Sequence, residues 1–142
     1  MPGSASEPGL LVDTSVAVAL TVSDHDHHAE TVRAVGSSAL GLAGHAAFET
    51  FSVLTRLPPP ARTTPAAVTR LLAANFPHSR FLGTAAAREL LGRLPSLGIA
   101  GGAVYDALVG EVAREHGTCL ATRDRRALET YRALGVNVEL LG

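Results

Sequence analysis

Lysine is missing from this chain of 142 residues, so all 12 basic residues are arginine. That absence excludes chemistry built on a P-loop lysine, a Schiff-base lysine, or a receiver-domain lysine beside a phosphorylated aspartate. Cysteine occurs once, at Cys119, within the short apolar run from Thr118 to Ala121. No disulfide framework can form, and a small buried thiol in a reducing cytoplasm is the expectation. No long hydrophobic run exists: the apolar stretch Val16 to Val22 has seven residues, has no basic residue before it, and is neither a signal peptide nor a membrane span. Aromatic residues are scarce at 4%, although 46% of the chain is apolar, so the core must be built from Ala, Val and Leu. Such a core suits helices packed closely on a sheet. A net charge of −1 argues against a global electrostatic grip on nucleic acid, so any such contact must be local.

What is present fits one domain, because a chain of this size buries roughly 70% of its unfolded surface around a single core. Residues 1–8 are polar and small, and a flexible N-terminus is expected there, with one domain over residues 9–142. Leu10-Leu11-Val12 reads as a short buried strand ending at Asp13, with Thr14 or Ser15 capping a helix through Leu20. Further helices are expected over Asp26–Val35, His45–Leu57, Pro65–Ala74, Ala85–Leu94, Gly101–His116 and Asp124–Leu134. Strands are expected over Ala39–Ala43, near Arg80–Leu82, and over Cys119–Thr122 and Val136–Leu141. The prolines at 58–60 and glycines at 36, 117 and 135 supply the stops. Strands alternating with helices through short links predict an α/β fold, a mainly parallel sheet flanked by helices on both faces.

In such a sheet, sites gather at the C-terminal ends of strands, where Asp13 and Asp124 lie. Each is equally suited to a helix cap. Asp106 is harder to explain structurally. At about 100° per residue its helix-face neighbours are Ile99, Gly102, Ala103, Val109, Gly110 and Ala113, all apolar or without a side chain. An acid in that setting must be paired, protonated or bound to a metal, and a lone salt bridge remains open. Glu49 shares a mixed face with His45, Ala46, Ser52, Val53 and Arg56 that would also suit a solvated surface, while Phe48, Phe51 and Leu54 are expected to pack. If the four acids converge, pairs about 4 Å apart repel by roughly 4 kcal/mol at an effective dielectric of 20, a cost that a divalent cation removes. Carboxylate oxygens without cysteine favour Mg²⁺ or Mn²⁺ over Zn²⁺. The run Asp24-His25-Asp26-His27-His28 is a weaker metal candidate, since neighbours before a helix cannot all face one point, and a solvated helix start is expected instead.

Four blocks taken together resemble the PIN-domain family, and within it the VapC-type toxins of bacterial toxin–antitoxin pairs. They are Leu11-Val12-Asp13-Thr14-Ser15; Glu49 followed by Leu54 and Arg56; Tyr105-Asp106-Ala107-Leu108-Val109 with Glu115-His116-Gly117; and Thr122-Arg123-Asp124-Arg125. They span residues 10–126, and their order and spacing carry the resemblance. It implies a PIN-like three-layer α/β/α domain, with Asp13, Glu49, Asp106 and Asp124 as a catalytic metal site and Thr14 and Thr122 supporting it. It further implies RNA cleavage, a cognate antitoxin protein and a homodimer. Arg123 departs from the smaller polar residue such toxins often carry.

The expected chemistry is hydrolysis of an RNA phosphodiester by water activated at one or two Mg²⁺ ions, so no side-chain nucleophile is required. Arg56, Arg123, Arg125 and Arg126 are the candidates for contacts to the RNA, against the alternative of ordinary surface charges. A rival from another class is a catalytically idle PIN-like protein-interaction module. A phosphatase using Asp13 is disfavoured, because Ser15 stands where that chemistry wants a second aspartate and lysine is absent.

Overall fold

The computed structural model describes residues 9–142, so the expectation for residues 1–8 lies outside the described residues. The chain enters through β1 (Leu10–Val12), whose three residues are all buried, and turns at Asp13 into α1 (Thr14–Thr21). Then come α2 (His28–Val35), β2 (Leu40–Leu42) and α3 (His45–Thr55). Helices α4 (Pro65–Asn75), α5 (Thr84–Leu97) and α6 (Ala103–His116) follow. β3 (Leu120–Thr122), a 3-10 turn (Arg125–Ala127), α7 (Leu128–Ala133) and β4 (Val138–Leu140) complete the fold.

The four strands form one parallel sheet in the order β2-β1-β3-β4, with Val12 paired to Leu42 on one side and Ala121 on the other. Because successive strand residues face opposite ways, the sheet feeds two cores. Leu11 and Leu120 pack with Leu90, Val112 and Tyr131, whereas Leu10, Val12 and Ala121 pack with Val16, Val35 and Phe76. Thus α1, α2 and α4 cover one face and α5, α6 and α7 the other, while α3 touches α1, α4 and α6. This is the three-layer α/β/α arrangement that strand and helix alternation predicts. No helix among the described residues is long and apolar enough to cross a membrane.

Differences from the sequence expectation have local causes. The stretch expected to be a strand near Arg80–Leu82 makes a single parallel bridge, Ala43 to Arg80. It reaches the β2 edge through His78 N–H to the Leu40 carbonyl and Arg80 N–H to the Leu42 carbonyl, then leaves for α5. Gly41 permits this approach, since a Cβ there would lie 2.2 Å from the His78 carbonyl oxygen. The helix expected over Ala85–Leu94 runs on through Pro95 to Leu97, where Gly98 caps it in the left-handed region at φ +69°. The expected helix from Asp124 is a 3-10 turn followed by α7, and α2 starts at His28 rather than Asp26. Phe48, expected to pack, is 66% exposed, whereas Leu54 is buried.

α6 also carries an acid whose state the sequence did not reveal. Glu111 is 1% exposed and is met by Arg93 at 3.2 Å and by Arg114 at 2.6 Å. Its charge is fully paired, and the pair ties α5 to α6.

Candidate active site

The strand order carries Asp13, at the end of β1, next to the end of β3, where Thr122 and Asp124 stand. Asp13 itself caps α1, accepting the Val16 N–H at 3.3 Å, so neither Thr14 nor Ser15 is the cap. The same Oδ1 accepts the Ser15 hydroxyl at 2.5 Å, and Oδ2 accepts the hydroxyls of Thr122 at 2.5 Å and Tyr131 at 2.9 Å. A carboxylate offers roughly four lone-pair positions, and here four donors occupy them. Burial pushes the Asp13 carboxyl above its usual range, and these donors pull against that rise. Tyr131 is buried on α7, and burial beside Asp13 raises its own pKa, so it remains a neutral donor. α6 and α7 approach closely at Gly110, where a Cβ would lie 2.9 Å from Leu134 Cδ1 and 3.0 Å from Tyr131 Cδ1.

Asp106, in the first turn of α6, is half-buried and accepts no hydrogen bond or ion pair among the described residues. The salt bridge left open by its sequence setting is therefore absent there. Burial raises its pKa first, and the charges of Asp124, Asp13 and Glu49 raise it further, with Arg126 opposing. Glu111 one and a half turns on is paired and Asp106 is not. That contrast separates a structural acid from an uncommitted one.

Glu49 projects from α3 with His45 Nε2 at 3.4 Å from its Oε1. Asp124 caps the 3-10 turn by accepting the Arg126 N–H at 3.0 Å, and its own N–H donates to Thr122 Oγ1 at 3.0 Å. Thr122 therefore joins Asp13 to the Asp124 backbone. All four acids line one cavity of about 70 Å³, together with Thr14, Ser15, Val109 and Tyr131. A larger recess of about 490 Å³ lies by Thr84 and Glu111, but the buried acid there is already neutralised. Among the described residues no three acid, histidine or cysteine side chains close on one point as an ion cage.

The arginines divide. Arg125 and Arg126 are exposed beside Asp124, with Arg126 Nε 3.5 Å from its Oδ1, and Arg56 is exposed at the end of α3, bonded to Ser52. Arg123 instead turns inward: only 11% exposed, it pairs with Glu30 at 3.0 Å and bonds Thr31 at 3.2 Å. Ser15 and Tyr131 did not stand out in the sequence as partners of Asp13. Ser15 two residues after Asp13 was a local signal, whereas nothing near Tyr131 pointed to the site.

The sequence matches the PIN domain family across residues 10–133. It is 46% identical over 132 residues to "Ribonuclease VapC27" of Mycobacterium tuberculosis, covering 93% of this chain and 96% of that protein. "Ribonuclease VapC40" of the same species is 48% identical over 131 residues, covering 91% and 96%. Among solved structures, VapBC2 from Rickettsia felis bound to a DNA fragment from its promoter is similar, with a TM-score of 0.67 at 12% identity, covering 94% of this chain and 98% of that one. FitAcB from Neisseria gonorrhoeae is similar with a TM-score of 0.63 at 16% identity, covering 91% and 95%.

Proposed function

The chain belongs to the PIN-domain family, and on that premise we propose that it is the endoribonuclease toxin of a toxin–antitoxin pair, working at Asp13, Glu49, Asp106 and Asp124. Residues 9–142 form one PIN domain in this reading. The observation that carries the site is the Asp106 carboxylate, half-buried without a partner among the described residues in a cavity shared with three more acids. Unpartnered charge in such a place is costly unless a cation arrives.

The donor set fits Mg²⁺ or Mn²⁺: four carboxylates line one cavity, none of the lining residues is a cysteine or histidine, and the Asp106 carboxylate is uncommitted among the described residues. Such an ion would supply a water nucleophile at neutral pH and charge neutralisation for the phosphodiester. Asp106 offers the open ligand position. Asp13 is held in orientation by Ser15, Thr122 and Tyr131, and Asp13, Glu49 and Asp124 would join Asp106 in holding the ion, directly or through water. Thr14 lines the cavity as a support. Arg125, Arg126 and Arg56 are exposed and reach RNA phosphates; Arg123 holds the site wall through Glu30.

The proposed partners are single-stranded RNA, a cognate antitoxin and a second copy of the chain. Exposed Phe48, Phe81 and Leu91, at 66%, 52% and 71%, support a further interface. The cytoplasm is the proposed location, in keeping with a single cysteine.

The test is cleavage of a mixed RNA pool by the purified chain freed of antitoxin. Cleavage with Mg²⁺ or Mn²⁺, loss on chelation, and loss in Asp106→Asn are expected. Intact RNA under every metal condition would favour the idle interaction module.

A further inference from the structure

The histidine run before α2 has a use that the carboxylate site does not explain. His28 is structural, since its Nδ1 meets the Ala19 carbonyl at 2.8 Å. His25 and His27 instead face a cleft of about 420 Å³, a size ordinary for small-ligand pockets, which run to about 300–1,000 Å³. Thr14 and Ser15 line both this cleft and the carboxylate cavity, so the two are neighbours across a shared wall. Val18 and Val53 supply apolar wall, and the two imidazole rings lie 5.8 Å apart, tilted by 51°.

The cleft's polar chemistry is already arranged. His25 Nδ1 accepts the His27 N–H at 3.0 Å, so in the neutral ring the proton is on Nε2, leaving a donor. His27 and Arg123 both engage the Glu30 carboxylate. Arg123 N–H also donates to Ser15 Oγ at 2.8 Å. These contacts fasten the loop before α2 to the end of β3, and Glu30 neutralises Arg123. A phosphate would have to compete with Glu30, whereas a planar group would meet apolar walls, imidazole faces and one donor. Single-stranded RNA is recognised mainly through unstacked bases placed on such rings.

We infer that the cleft formed by His25, His27, Val18 and Val53 is a nucleobase subsite, taking the base of one nucleotide beside the cleaved bond. The inference rests on the ribonuclease reading. A base seated there would register the RNA so that the adjoining phosphodiester lies over the carboxylates.

The experiment uses the full chain and a short single-stranded RNA carrying the cleavage sequence found from a random pool. His25→Ala and His25→Phe are compared on the intact RNA and on versions abasic at either nucleotide flanking the cut. Loss of base stacking predicts a rise in KM of about tenfold for His25→Ala, with kcat little changed. His25→Phe keeps a stacking face and should retain most affinity while altering base preference at that position. One abasic RNA should weaken wild type by a similar factor and show no further loss with His25→Ala. Equal losses of the variant on intact and abasic RNAs would mean that His25 only shapes the loop, and the subsite would be overturned. An unchanged KM and base preference in His25→Ala would overturn it as well. Failure of the wild type to cut any RNA would instead remove the ribonuclease reading itself.

Discussion

Replacing Asp106 by asparagine should stabilise the metal-free protein, an unusual outcome for a change inside a binding site. Asp106 has no hydrogen-bond or ion-pair partner among the described residues to lose, and its charge faces those of Asp124, Asp13 and Glu49. Two unit charges about 8 Å apart repel by about 2 kcal/mol at an effective dielectric of 20, which sets the scale of each such repulsion, and the group's partial exposure reduces the sum considerably. Against this gain, a carboxylate in the first turn of α6 interacts favourably with the helix N-terminus by about 0.3–1 kcal/mol, which asparagine gives up. The net expectation is a gain of about 1–2 kcal/mol, or a rise in Tm of roughly 3–8 °C for a chain of this length. Asp13→Asn is the contrasting variant. Four donors meet that carboxylate, and an amide NH₂ cannot accept from the two on whichever side it takes. Relief of the buried charge offsets only part of this loss, so destabilisation by about 1–3 kcal/mol is expected. Both variants should lose RNA cleavage. Thermal melts in chelator, then with Mg²⁺ at about 100 times its Kd, complete the assay; wild type should gain roughly 2.7 kcal/mol from the ion and Asp106→Asn distinctly less. If Asp106→Asn melted below wild type in chelator, the carboxylate would have a structural partner and the argument from uncommitted charge would fail.

Three further outcomes follow from the same contacts. The Asp106 pKa is raised, so in the window above about pH 4 the native state holds protons that the unfolded state has released, and stability declines as pH rises. Melts of wild type and Asp106→Asn without metal should therefore converge near the bottom of that window and separate towards neutrality; a constant gap would contradict the assigned cause. Tyr131→Phe removes a hydrogen bond to a buried carboxylate, and a loss of about 1.5–3 kcal/mol by denaturant unfolding is expected, with weaker Mg²⁺ binding by calorimetry. The double variant Arg93→Ala, Arg114→Ala strands Glu111 and should cost about 3–5 kcal/mol while single-turnover RNA cleavage, measured well below the melting temperature, stays near wild type.

Much of the architecture was legible because its causes are local. The Leu10-Leu11-Val12 run, the glycine stops at 36, 117 and 135, and the proline-opened helix at Pro65 each act through backbone dihedrals or short-range burial, which the sequence carries directly. The apolar neighbours of Asp106 likewise marked it as an acid needing explanation. Where the expectation slipped, at Arg80 and at Phe48, the deciding quantity was what another element offered: a sheet edge reached only briefly, and a ring met edge-on by Phe81 but otherwise left exposed.

By itself, then, the sequence determined the succession of strands and helices, since periodicity and turn chemistry are properties of neighbouring residues, and its resemblance to the PIN family nominated four acids. Only the tertiary structure decided which charges are committed. Thr122 and Tyr131 reach Asp13 across 109 and 118 positions of chain, Arg123 turns inward to Glu30 across 93, and Arg93 finds Glu111 across 18. A lone pair is filled by whatever donor the packing of α6, α7 and the sheet places within about 3 Å, a distance that no local pattern encodes.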